Sequence, residues 1–154
     1  FRHIHATGSF GWRWMPDLVK EKGIDLQNCV TIDMRQYIYD MPRVLAAADV
    51  VIGRAGSGTC NEIAATATPC ILIPSPNVTN NHQEKNARVL EAGGGAVVML
   101  ESECTAKKVY RQIQDLLNNS RRSEEMSKNL RNMAVIDSTD RICRIAESLA
   151  QKQK

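Results

Sequence analysis

A chain of 154 residues with 43% apolar and 24% charged side chains is long enough for one domain with a real core, and ordinary for a globular protein. Its net charge is +3, and its Lys and Arg residues are spread out, not clustered with aromatics, so no nucleic-acid partner is expected. No apolar run reaches transmembrane length, and five scattered cysteines with no C-x-x-C spacing argue against zinc and for reduced thiols in a cytosolic protein.

The chain opens without Met on a strand-like pattern, "RHIHAT" (2–7), and is therefore expected to be a fragment of something longer. A loop follows, then a helix near 15–22 that stops at Gly23. "NCVTI" (28–32) reads as a second strand, and "MPRVLAAA" (41–48) as a short helix with Pro42 suited to its first turn. "DVVIG" (49–53) is a buried strand, followed by the loop and helix of "RAGSGTCNEIAATATP" (54–69). "CILIP" (70–74) is another buried strand, 81–93 a helix ending in glycines, and "AVVML" (96–100) a last strand. From there the pattern is helical, at roughly 105–118, 121–133 and 139–152, and the end "QKQK" reads as a solvated tail.

Val- and Ile-rich strands, each followed by a helix, imply a doubly wound α/β domain with a parallel sheet and a helical C-terminal end. Ligands of such sheets bind beyond the carboxyl ends of the strands. Here those ends fall near Gly8, Met34–Tyr39, Arg54–Thr59, Ser75–Asn81 and Glu101.

Four constellations lie there. Gly56 and Gly58 let backbone approach a ligand, Ser57 and Thr59 add hydroxyls, and a helix starting here aims free N–H groups at the same place. That suits a phosphate or diphosphate. It is neither a Walker loop nor the G-x-G-x-x-G fingerprint, since Asn61 stands where the third glycine belongs. A tight strand-to-helix connection is the other reading.

Glu62 is the only formal charge between Ala55 and Gln83. Thr59-x-x-Glu62 fits a capping box; a carboxylate accepting two hydroxyls of a vicinal diol, such as a ribose, is the alternative. His82, Gln83 and Asn86 share one helical face, continued by Val89 and Leu90, with Glu84, Arg88 and Glu91 opposite. Three hydrogen-bonding groups on an inward stripe suit a hydroxyl-rich ligand; a polar helix start capped by Asn80 or Asn81 also accounts for them. "QYIYDM" (36–41) brings Tyr37, Ile38 and Met41 to a strand end, either as core or as walls for a flat base. His5 lies near the first strand's carboxyl end. No Ser-His-Asp set, paired carboxylates or metal cluster is visible, so no catalytic residue and no metal ligand is assigned. Two N-x-[ST] triplets, at Asn77 and Asn118, read as chance matches.

Three stretches together, "HATG" (5–8), residues 37–76 and "NNHQEKNARVLEAGGGAVV" (80–98), resemble the C-terminal, donor-binding half of the MurG family. These are bacterial transferases of GT-B architecture that move N-acetylglucosamine from UDP-GlcNAc to lipid I, giving lipid II. The resemblance implies that residues 1–154 are the UDP-GlcNAc-binding C-terminal domain of a GT-B enzyme, lacking its first strand and helix, with the N-terminal acceptor domain absent. It implies that Ile38 meets uracil through its backbone. Ser57, Gly58 and Thr59 then line the diphosphate and ribose region, and Glu62 binds the ribose hydroxyls. His82, Gln83 and Asn86 lie near the GlcNAc and diphosphate.

Inverting transfer without metal or other cofactor is further implied, with the general base in the missing half and this fragment inactive alone. The partners that the resemblance implies are UDP-GlcNAc, lipid I through the missing domain, and the inner face of the cytoplasmic membrane, held peripherally. Ala67 departs from the family, which usually has glycine there, and this bears on how the helix ends. Trp12 and Trp14 are expected to pack on the missing part or a neighbouring molecule. The alternatives are another UDP-sugar GT-B enzyme, such as a UDP-GlcNAc 2-epimerase or a glycolipid synthase, or a non-catalytic donor-binding subunit.

Overall fold

The computed structural model describes residues 1–151, so the expected tail at 152–154 lies outside the described residues. The chain forms two compact units, Phe1–Val44 and the residues from Leu45 onward.

In the first unit β1 (His3–Ala6) and β2 (Ile32–Arg35) pair in parallel, His3 opposite Ile32 and Ala6 opposite Arg35. Between them lie α1 (Gly8–Gly11), a single turn where a loop was expected, and α2 (Met15–Glu21), with Pro16 in its first turn. The second strand is displaced from the 28–32 expected from its apolar residues. Val30 is exposed, and an Asp25 turn occupies 25–28, its carboxylate accepting from the Gln27 N–H and the Asn28 amide. Hydrogen bonding to β1 begins only at the Thr31 carbonyl, which accepts from His3 N at 2.7 Å. Ladder position outweighs side-chain hydrophobicity here, so the strand carries Asp33 and Arg35. They pair at 2.7 Å, and the Arg35 guanidinium holds the Asp33 carboxyl below the usual carboxylate range.

After α3 (Met41–Ala47) the second unit alternates β3 (Val51–Gly53), α4 (Ser57–Thr66), β4 (Cys70–Leu72), α5 (His82–Ala92) and β5 (Val97–Val98). Then come α6 (Ala106–Asn118), α7 (Ser120–Met133) and α8 (Ser138–Gln151). The strands run β3-β4-β5, all parallel, Val51 opposite Cys70 and Ile71 opposite Val97. The parallel α/β organisation with a helical end is therefore as expected. β4 is central and wholly buried, which is why its sequence is an unbroken apolar run. Ile63 and Ala64 of α4, Ala87 and Leu90 of α5, Leu116 of α6, and Met126 and Leu130 of α7 close over it. Burial, with Cys60 nearby, pushes the Cys70 thiol up to about 12; all five cysteines are free.

Side chains start the next two helices. The Thr105 hydroxyl accepts from Lys108 N and the Asn119 side-chain oxygen Oδ1 from Arg122 N. The α5–β5 turn needs small residues, because a Cβ on Gly95 would stand 2.9 Å from Leu130 Cδ2 of α7. α8 leaves Ile142, Ile145 and Leu149 exposed, and no helix among the described residues is long and apolar enough to cross a membrane.

Ala67 ends α4 in the left-handed conformation, φ 55° and ψ 34°. A side chain there is strained by roughly 1–2 kcal/mol, a strain glycine does not carry. Ala67→Gly is accordingly expected to raise stability by about 0.5–1 kcal/mol, net of glycine's greater freedom in the unfolded chain. Chemical denaturation measures it; a lower midpoint would show that the methyl group, buried in the core, matters more than the strain.

Candidate functional site

Three parallel strands put their carboxyl ends on one edge of the sheet. α4 leaves the end of β3 after a three-residue turn, and α5 leaves the end of β4 after the longer segment 73–81. Both helix N-termini thus belong to connections that begin at that edge.

Gly56 is the N-cap of α4, and its carbonyl accepts the first helical bond from Cys60 N at 2.9 Å. Ser57, Gly58 and Thr59 are therefore the first three helical residues, whose N–H groups have no carbonyl behind them in the helix. No side chain caps this end. Gly58 is exposed, and a Cβ built on it would meet nothing within 4 Å. Nothing in the described chain demands glycine at this place.

The capping box does not form. With the N-cap at Gly56, Thr59 sits at the third helical position and Glu62 at the sixth, out of reach of the cap N–H. The Glu62 side chain is exposed and has no hydrogen-bond or ion-pair partner among the described residues. It lies three and four positions past Thr59 and Gly58, hence on their face of the helix.

α5 starts from two successive left-handed residues, Asn80 (φ 54°) and Asn81 (φ 52°). Neither caps it through a side chain; the Asn81 amide donates to Glu84 at 2.6 Å instead. The expected polar face is present, and much of it is already engaged. His82 Nδ1 lies 2.9 Å from the Thr79 carbonyl. A carbonyl only accepts, so Nδ1 donates, and in the neutral ring Nε2 remains an acceptor. Gln83 Oε1 accepts from Ser75 N at 2.9 Å, leaving its NH2 group as a donor. Asn86 Nδ2 donates to the Ala55 carbonyl at 3.1 Å, leaving Oδ1 as an acceptor.

That last bond ties α5 to the turn that launches α4. Arg88 is exposed as expected and pairs with both Glu84 and Glu91, which are only partly exposed; Glu91 Oε1 also accepts from Val98 N of β5 at 3.3 Å. Val89 does not continue the inward stripe: it is 63% exposed, and Ala87 and Leu90 are the buried pair. α5 buries only Ala87 and Leu90, a stripe narrower than a three-and-four count suggests.

Seven of the eight expected residues thus stand in the second unit, on the first two turns of α4 and α5. Ile38 stands in the first unit, just past β2. Its side chain is 6% exposed, and its N–H and C=O make no hydrogen bond to the described residues. The neighbouring Tyr37 and Tyr39 are exposed and meet edge-on at 4.9 Å. His5 meets His3 edge-on at 5.3 Å, and partial burial followed by the charge of His5 lowers the His3 pKa.

Arg54 was missed. It donates to the Ile73 carbonyl at 3.2 Å and pairs with Glu101. The sequence held one signal for it, the only cation next to an otherwise neutral turn. A hollow of about 540 Å³ at the α6–α7 corner, near Arg111 and Arg121, involves none of these residues.

The family model described as "Glycosyltransferase family 28 C-terminal domain" matches residues 2–142. Two relatives are each named UDP-N-acetylglucosamine--N-acetylmuramyl-(pentapeptide) pyrophosphoryl-undecaprenol N-acetylglucosamine transferase. The one from Acetivibrio thermocellus is 41% identical over 99% of this chain and 40% of its own length. The one from Desulforamulus reducens is 35% identical over 98% of this chain and 41% of its own. This chain therefore spans about two fifths of the relatives it matches. Among solved structures, Acinetobacter baumannii MurG superposes with a TM-score of 0.78 at 26% identity, over 94% of this chain and 40% of that one.

Proposed function

The chain belongs to the family of glycosyltransferase family 28 C-terminal domains, and from that membership we propose that it is the donor-binding half of a MurG-type inverting transferase. It holds UDP-GlcNAc while the sugar passes to lipid I, giving lipid II for peptidoglycan synthesis and, through it, cell shape and division. On this reading the enzyme works at the cytoplasmic face of the membrane, attached peripherally because its acceptor is a lipid.

One observation carries the reading. A helix N-terminus with no side-chain cap and an open glycine at its second position carries, on the same face, a carboxylate with no partner among the described residues. The N–H groups of Ser57, Gly58 and Thr59 suit a diphosphate. Glu62 suits the paired ribose hydroxyls, each donating to one carboxylate oxygen. His82 Nε2 and Asn86 Oδ1 offer acceptors and the Gln83 amide a donor, the mixture that sugar hydroxyls require. The family resemblance assigns Ile38, in the first unit, to the pyrimidine edge through its backbone groups, which make no hydrogen bond to the described residues.

In the reaction the acceptor hydroxyl attacks the anomeric carbon opposite UDP and loses its proton to a base supplied by the other half. The bond from that carbon to UDP breaks, which inverts the configuration. The residues of this chain act on the leaving group. Charge building on UDP meets N–H groups that are already oriented, so little reorganisation is needed as the bond breaks.

UDP and UDP-GlcNAc at about a hundredfold their Kd are expected to raise the melting temperature by about 5 °C or more. Calorimetry gives the affinities. Absence of binding by both nucleotides at millimolar concentration would sink the reading, and equal affinity for UDP-glucose would move it to another UDP-sugar enzyme.

A further inference from the structure

One side chain links the ends of all three strands in the second unit. Arg54 directly follows β3, and its Nη1 donates to the carbonyl of Ile73, the first residue past β4, at 3.2 Å. The same nitrogen pairs with Glu101, at the start of the 3-10 turn (Glu101–Glu103) past β5. This strap spans the carboxyl edge of the sheet and lies two residues before Gly56, the N-cap of α4. The residue between, Ala55, is fully buried, and its carbonyl is held by Asn86. The turn is thus fixed from two sides, toward β4 and β5 through Arg54 and toward α5 through Ala55.

Arg54 and Glu101 are both about half exposed, and pairs so exposed add little to stability. The pairs that Arg88 makes differ in kind, because both of its partners lie on α5 and none stands at the carboxyl edge of the sheet, although Glu91 also accepts from Val98 N of β5 at 3.3 Å. We infer that the Arg54–Glu101 pair is a positioning device: it sets the angle at which the turn delivers the first N–H groups of α4 to a diphosphate. The inference rests on the donor-site reading above. Arg54 acts through the turn. Were its guanidinium a ligand of the diphosphate, Glu101 would compete for it, and removing Glu101 would tighten binding.

The experiment uses the full 154-residue chain as wild type, Arg54→Ala, Glu101→Ala, the isosteric Glu101→Gln, the double alanine variant, and Arg88→Ala as a surface-pair control. UDP affinity is measured by calorimetry. Amide exchange is followed at Cys60 and Ile73, whose N–H groups bond to Gly56 and Gly53 beside the strap. Each single change at the strap is expected to weaken UDP about tenfold, the double variant no further, and Arg88→Ala not at all. Exchange at Cys60 and Ile73 speeds up while the melting temperature stays that of Arg88→Ala. Unchanged or tighter UDP binding by Glu101→Gln, or additive losses in the double variant, would overturn the inference. If wild type binds no UDP, the donor reading itself has failed. The exchange rates then judge the strap alone, and unaltered protection at both amides rejects it.

Discussion

Glu62→Ala is expected to lower UDP affinity about a hundredfold while leaving thermal stability nearly untouched. Two hydroxyls donating to one ionised carboxylate are charge-assisted hydrogen bonds, each contributing about 1.5 kcal/mol or more, and the alanine variant loses both. Stability is a separate matter. A capping role would cost about 1 kcal/mol on substitution, and the structure removes that role. The helix begins at Gly56, Glu62 is six residues in, and its carboxylate has no partner among the described residues. Exposed helix positions of this sort usually shift stability by less than about 0.5 kcal/mol, and alanine is the better helix former. Calorimetry with UDP and a thermal melt without ligand separate the two effects. A melt lowered well beyond that range, with UDP affinity intact, would restore the structural reading of Glu62. Comparing UDP with deoxy-UDP refines the assignment, since only a diol offers the carboxylate two donors.

The second large effect concerns the core beneath the site. Leu130 of α7 is fully buried and packs on Gly95, while Leu90, Ile71 and Ile63 lie in the same cluster. Leu130→Ala should cost about 2–5 kcal/mol, from the lost transfer energy plus the cavity left behind. Denaturant unfolding would read it as a lower midpoint at unchanged slope. Collapse into that space is limited, because the facing residue is a glycine held in a tight turn and cannot fill it. UDP affinity under folding conditions is expected to survive, since α7 contributes no residue to the first turns of α4 and α5. A cost under about 1 kcal/mol would mean that α7 is a loosely held cover and not part of the core on which the site stands.

Much of this molecule was legible in its sequence, for identifiable reasons. Buried parallel strands such as Cys70–Leu72 must be apolar throughout, and α5, α6 and α7 must turn apolar residues inward at helical spacing. The small residues of the β3–α4 turn and the lone carboxylate at 62 marked a candidate site, because a core has no use for an unpaired charge among glycines and hydroxyls. The resemblance to a transferase family rested on those same stretches, and family membership followed.

Other features were fixed only by tertiary structure. Whether Thr59 or Gly56 caps α4 depends on where β3 releases the chain, which the local sequence fits equally well at either residue. The second strand lies at 32–35, not 28–32, because β1 offers its hydrogen-bonding edge there, and pairing outranks the apolarity of Val30. Ala67 occupies a left-handed position because the return to β4 requires that turn, whatever the residue's preference. The strap from Arg54 to Glu101 joins residues 47 apart in the chain. Local spacing encodes periodicity and composition, so the sequence by itself determined most of the elements and the buried strands, and it marked the residues of the candidate site. Contacts between distant segments depend on how the elements assemble, and only that assembly decided what Asn86 and Arg54 each touch and that Glu62 is left without a partner among the described residues.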